Sequence, residues 1–88
     1  MKTRSGFILR NLAGEYVLTP AGEQIKTFDG VAVMNGLAAF LWERLEKDVS
    51  RQELLAAVLA EYDVDAETCA RDLDALLKRM LEMGVIEE

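Results

Sequence analysis

Side chains that commonly carry out catalysis are scarce in this sequence of 88 residues. It contains no histidine, so the commonest general base at neutral pH and the commonest transition-metal ligand are both missing. The single cysteine, Cys69, has no imidazole to activate it and occupies an apolar helical stripe, which predicts a buried packing role. The residues therefore predict no catalytic group, no metal site and no cofactor, and a lone cysteine excludes an intramolecular disulfide.

The acidic residues and glycines also match no motif that carries chemistry. Asp72 and Asp74 cannot face each other across one helical turn. The acids within residues 61–67 surround a helix start, where the helix dipole favours negative charge, and this segment lacks the glycine of a calcium loop. The glycines at 14, 22, 30 and 36 match neither phosphate-loop pattern, so we interpret them as turn residues.

The charge of the chain argues against nucleic acid as a partner. The formal net charge is −6, and residues 1–34 carry four basic and three acidic side chains, so residues 35–88 supply −7. Phosphate binding needs a basic surface, and a DNA-reading helix would have to come from the acidic part. No apolar run approaches the ~20 residues of a membrane span. We therefore expect a cytoplasmic protein without a nucleic-acid or membrane partner.

Apolar runs rich in β-branched residues predict strands before Asn35. Ala13-Gly14 separates the first two runs, which predicts a hairpin, and Asp29-Gly30 is a turn signal before the last strand. The predicted strands are residues 7–12, 15–19 and 31–34, with residues 25–28 as a further short strand or strand start after a loop at residues 21–24.

Three helices are predicted after the strands. Asn35, Ser50 and Asp65 are good N-caps, and Glu53 completes a capping box with Ser50. The first helix runs to about residue 45, the second covers about residues 51–61, and the third is the longest and ends before Gly84, with residues 85–86 folding back onto the core. The apolar stripe of the third helix consists of Cys69, Leu73, Leu76, Leu77, Met80 and Leu81.

These elements predict an α+β fold in which an N-terminal three-stranded antiparallel sheet is followed by a three-helix bundle, in a winged-helix-like arrangement. The length predicts that residues 1–88 form a single domain. A sheet this small must have edges, and an edge strand offers unpaired backbone groups to an extended peptide. If residues 31–34 form that edge, the third helix can supply the other wall of a groove.

Cations on the third helix can meet acidic groups of a peptide. Arg71, Lys78 and Arg79 lie on its outer side, and residues 71 and 78 are about two turns apart. The alternative is that these are solvated charges, paired with the acids Asp72, Asp74 and Glu82 of the same helix.

Several short motifs resemble those of the PqqD-like proteins when taken in order. They are GFILR at residues 6–10, GEYVL at 14–18, MN at 34–35, AFLW at 39–42, EYDVD at 61–65, DL at 72–73 and MGVI at 83–86. The resemblance covers nearly the whole chain. It implies a RiPP recognition element, a non-catalytic peptide chaperone that serves ribosomally synthesised and post-translationally modified peptides.

Such domains hold the leader segment of a precursor peptide as an added strand between the third strand and the third helix, and they present it to a modifying enzyme. The resemblance implies a radical S-adenosylmethionine enzyme or another peptide-modifying enzyme as partner, for pyrroloquinoline quinone, lasso peptides or another product. Carried over by position, the peptide-binding residues are Val31, Ala32, Val33, Met34, Leu73, Leu76, Leu77, Arg79 and Met80.

Two other functions stay open from the residues. The three predicted helices are compatible with a winged-helix DNA-binding or regulatory protein, against which the acidic charge argues. The exposed edge is also compatible with a dimerisation scaffold, in which the strand pairs with its own copy or the domain is swapped.

Overall fold

The computed structural model describes residues 1–28 and 30–88 and has a mixed α+β architecture. In chain order the elements are β1 (Lys2–Thr3), β2 (Phe7–Leu12), β3 (Glu15–Pro20), α1 (Gln24–Thr27), β4 (Ala32–Met34), α2 (Gly36–Arg44), α3 (Arg51–Glu61), α4 (Ala66–Met83) and β5 (Ile86–Glu87). The antiparallel sheet has the order β2-β3-β4, and β1 pairs separately with β5. The predicted α+β class and the three-stranded antiparallel sheet are confirmed.

The hairpin of β2 and β3 is closed by the two residues that the sequence marked as a turn. Leu12 pairs with Glu15, so only Ala13 and Gly14 form the loop, with φ of 53° and 86°. Positive φ at both positions gives a turn whose twist matches that of the flanking strands. β4 then pairs with β3 alone, with Leu18 opposite Ala32 and antiparallel register.

The segment between β3 and β4 corrects one prediction. Residues 25–28 alternate like a strand, but residues 24–27 form the single helical turn α1. Its amides find local carbonyls, as in the bond from Ile25 N–H to Gly22 O at 3.3 Å, and the Ile25 side chain is 63% exposed. Alternation of apolar and polar residues specifies a strand only where one face of the strand is buried, and this segment has no buried face. The turn predicted at Asp29-Gly30 includes Asp29, which lies outside the described residues.

The three longer helices begin at the predicted caps. The Asn35 side chain accepts a hydrogen bond from the Ala38 N–H at 2.8 Å, and Ser50 and Glu53 form the complete capping box. Asp65 accepts from the first turn of α4 in the same way. These predictions are confirmed, whereas the prediction of three helices omitted α1, so the described residues form four.

The core is formed by buried side chains of β3, β4, α2, α3 and α4, together with the residues that follow α4. Gly84 adopts a left-handed conformation with φ of 78°, which ends α4 and returns the chain so that Val85 and Ile86 are buried, as predicted. Cys69 is a buried free thiol, also as predicted. Within the described residues, no helix is long and apolar enough to cross a membrane.

Candidate functional site

The edge of the sheet at β4 is the first component of the candidate site. β4 pairs with β3 on one side, and no other described strand pairs with its second side. In an antiparallel pair, alternate residues direct both N–H and C=O to the partner strand, and the residues between them direct theirs away. β4 therefore presents free backbone groups along one side, which is the requirement for pairing with an added strand.

Side chains of β4 alternate between the two faces of the sheet. Ala32 and Met34 are buried on the core face, whereas Val33 is 71% exposed on the outer face, opposite Val17 of β3. Val31 was predicted to belong to this strand, but β4 begins one residue later and Val31 is exposed. Gly30, with φ of 80°, bends the backbone directly before it, so the ladder with β3 starts only at Ala32.

The second component is the side of α4 that faces β4. Leu76 and Arg79 are three positions apart and therefore share one side of the helix. Met80 is buried beneath them, Leu76 is partly buried and Arg79 is exposed. Leu73 and Leu77 lie on the inner face of α4 and are buried.

Between β4 and α4 runs a groove of about 220 Å³. Its lining residues are Ala32, Val33, Met34, Asn35, Ala38, Leu76, Arg79, Met80 and Met83. Six of the predicted site residues are thus brought together, while Val31, Leu73 and Leu77 do not line the groove.

Three lining residues were not among the predicted site residues. Asn35 and Ala38 belong to the capped start of α2, which follows β4 directly, and the sequence indicated only a capping role for Asn35. Met83 is seven positions after Leu76, so the same helical spacing that selected Leu76 and Met80 also reaches it. The groove therefore has apolar walls on α4 and a polar corner at the helix cap.

Only one of the three cations considered on α4 lines the groove. Arg79 does so, whereas Arg71 and Lys78 are exposed elsewhere on the helix. Among the described residues, the one ion pair of α4 joins Asp74 to Arg51 of α3, with Arg51 Nη2 donating to Asp74 Oδ2 at 2.9 Å. The hydrogen bond from Arg51 lowers the pKa of Asp74 below its usual value. This pair fastens α3 to the side of α4 and leaves Arg79 available at the groove.

The arrangement offers groups that can bind a peptide. In the part of the chain that the structure describes, no three His, Cys, Asp or Glu side chains lie close enough to hold a metal ion. What the site combines is a free strand edge, apolar side chains of α4 and one guanidinium, which suits an extended peptide.

Comparisons with known proteins find one matching family and solved structures with a similar fold. The family described as coenzyme PQQ synthesis protein D (PqqD) matches residues 15–86. The solved structure of TbiB1 in complex with the TbiA(beta) leader peptide is similar with a TM-score of 0.78 and 25% identity, over 99% of this chain and 95% of that chain. Lasso peptide synthetase B1 complexed with the leader peptide is similar with a TM-score of 0.74 and 22% identity, over 99% and 96%. No curated protein matches the chain.

Proposed function

The chain belongs to the PqqD family, whose match covers residues 15–86, and we propose that it is a non-catalytic chaperone for the leader segment of a ribosomally made precursor peptide. The observation that carries this proposal is the free edge of β4 beside the groove against α4. TbiB1, at 25% identity the more similar of the two solved structures, is in complex with a leader peptide. A peptide that binds and is released without reaction requires no catalytic group.

We propose that the leader adds as a strand to β4. Opposed residues on neighbouring strands share a face of the sheet. The leader residues opposite Ala32 and Met34 would therefore point into the groove, against Leu76 and Met80 of α4. The leader residue opposite Val33 would stay on the outer face. Strand addition thus selects apolar residues at alternate leader positions, with backbone hydrogen bonds giving affinity.

Arg79 gives the groove its one guanidinium, and we propose that it pairs with an acidic group of the leader. Both Arg79 and Val33 are exposed, so a bound leader would lie at the surface of the domain. The rest of the precursor would then remain accessible to a modifying enzyme, either a radical S-adenosylmethionine enzyme or another type. Presentation to such an enzyme is the second half of the proposed function.

The proposal is tested by titrating the full chain with the leader of a precursor peptide encoded beside it. Amide signals of Ala32, Val33 and Met34 should shift in nuclear magnetic resonance spectra, together with those of Leu76 and Arg79 on α4. A leader that shifts signals elsewhere, or none at saturating concentration, would contradict the proposed site.

Proline substitutions test strand addition itself. Since neighbouring residues of β4 direct their backbone groups to opposite sides, Ala32→Pro and Val33→Pro should behave differently. The proline on the side of β3 removes a backbone N–H that bonds β3, so that variant should be less stable. The proline on the free side removes a backbone N–H that would bond the leader, so that variant should bind the leader about fivefold more weakly. If both variants fold and bind like the parent chain, strand addition is wrong.

The two alternatives make distinct predictions. A DNA-binding winged helix would bind duplex in a salt-dependent manner, which the net charge of −6 disfavours. A dimerisation scaffold would use the edge of β4 for a second copy, so light scattering would show a dimer that the leader dissociates. A monomer that binds the leader and does not bind duplex DNA would support the proposed chaperone function.

A further inference from the structure

A second apolar pocket lies at the other end of α4, between the end of α3 and the start of α4. It measures about 150 Å³, and its apolar lining includes Leu37, Val58, Tyr62, Val64, Cys69 and Leu73. Tyr62 and Val64 are also 38% and 48% exposed. Large apolar side chains at the mouth of an apolar pocket indicate a surface that is covered when a partner binds.

The mouth of this pocket is held in shape by a row of contacts. The ring of Tyr62 meets that of Phe40 edge-on, with centroids 5.5 Å apart. The Arg44 guanidinium lies over the ring of Phe40, 3.9 Å from its centroid. The contact between Tyr62 and Phe40 joins the end of α3 to α2, and the contact between Arg44 and Phe40 lies within α2. Packing within the domain therefore positions Tyr62 at the mouth of the pocket.

The pocket is linked to the groove at β4 by lining residues that a third space shares with both. A depression of about 270 Å³ lies between them and shares Asn35, Leu76 and Arg79 with the groove. It shares Leu37 and Asp72 with the pocket. The chain from β4 into α2 therefore runs antiparallel to α4, and the three spaces form one track along the helix.

We infer that the leader-binding site extends along this track and that the pocket takes one large apolar side chain of the same peptide. The inference rests on the proposed function. The volume fits a single side chain, since an apolar cavity of about 150 Å³ is known to accommodate benzene. A single side chain of the peptide in the groove fits the volume of the pocket and can reach it along the track. A helix of a second copy would be too large for the pocket.

The position of the anchor in the peptide follows from helix geometry. The residues of α4 that line the groove and those that line the pocket are centred about nine positions apart, or about 14 Å at ~1.5 Å per residue. An extended peptide covers that distance in about four residues at ~3.3 Å each. Asp72 and Arg79 flank the intervening stretch. We therefore expect alternating apolar residues, then a polar stretch, then an aromatic or branched aliphatic anchor.

A displayed library of random dodecapeptides, selected on the full chain, provides the probe. Val64→Asp places a charge at the mouth of the pocket and should lower the affinity of a selected peptide about tenfold. Ile25→Asp is the matched control, because Ile25 is 63% exposed and lies on α1, away from the track. It should leave the dissociation constant unchanged.

Cys69 gives a second measurement that needs no substitution in the chain itself. It is the only cysteine of the chain and it lines the pocket, so a small methanethiosulfonate reagent reports on that space alone. A bound peptide should slow its modification, and replacing the peptide's anchor by alanine should restore the rate.

The outcomes separate the two proposals. A peptide that shifts the β4 amides, tolerates Val64→Asp and leaves the reaction of Cys69 unchanged would overturn the extended track and leave the proposed function standing. Selected peptides that never perturb β4 would overturn the proposed function and, with it, the track. A dimer that Val64→Asp dissociates would assign the pocket to a second copy and overturn the inference.

Discussion

Truncating one leucine of the groove wall should separate binding from stability. Leu76 and Leu81 are both partly buried leucines of α4 that pack against the same core, but only Leu76 lines the groove. Each change to alanine should lower the free energy of unfolding by about 1–2 kcal/mol, less than the ~2–5 kcal/mol of a fully buried leucine. Burying a whole leucine contributes ~1.5–3 kcal/mol, and the leader can cover only the exposed third of Leu76 or less.

Leu76→Ala should therefore lose about 0.5–1 kcal/mol of binding free energy, which is about two- to fivefold in affinity. Urea unfolding, followed by the fluorescence of the single tryptophan Trp42, measures stability, and fluorescence anisotropy of a labelled leader measures affinity. Leu81→Ala should have the same stability as Leu76→Ala but should bind the leader with the affinity of the parent chain. Equal losses of affinity in both variants would refute a specific contact at the groove wall.

The remaining predictions concern charges and a helix cap. Arg79→Ala should weaken leader binding by up to about fivefold, whereas Lys78→Ala, outside the groove, should not, as anisotropy at low and high salt can show. Asn35→Ala should lower the free energy of unfolding by about 1 kcal/mol in urea titrations, while Asn35→Asp keeps the cap and the stability. Because Arg51 lowers the pKa of Asp74, their pair stabilises the fold above about pH 4 and is lost as pH falls through the lowered pKa. Asp74→Asn should consequently be less stable than the parent at neutral pH and no less stable at strongly acidic pH.

The sequence alone determined those features that depend on neighbouring residues. Asn35, Ser50 and Asp65 cap helices because their own side chains reach the amides of the following turn. Ala13-Gly14 closes the hairpin for an equally local reason. The order of such local signals was also sufficient for the resemblance to the PqqD family, which the match over residues 15–86 confirms.

Tertiary structure decided which residues of each element face the groove. Leu73 and Leu77 share the apolar stripe of α4 with Leu76, yet the first two are buried in the core and the third lies at the groove. A helical stripe has the same period across its whole width, so spacing cannot distinguish its centre from its margin. The same limit applies to Arg79 among the cations of α4, because its surroundings come from β4.

The pocket below Tyr62 shows most clearly what the sequence could not give. It is formed where α2, α3 and the start of α4 converge, from residues as distant along the chain as Leu37 and Leu73. In the sequence, each of these leucines has the spacing of an ordinary core residue of its own helix. Only packing in three dimensions leaves a space between them and joins that space to the edge of β4.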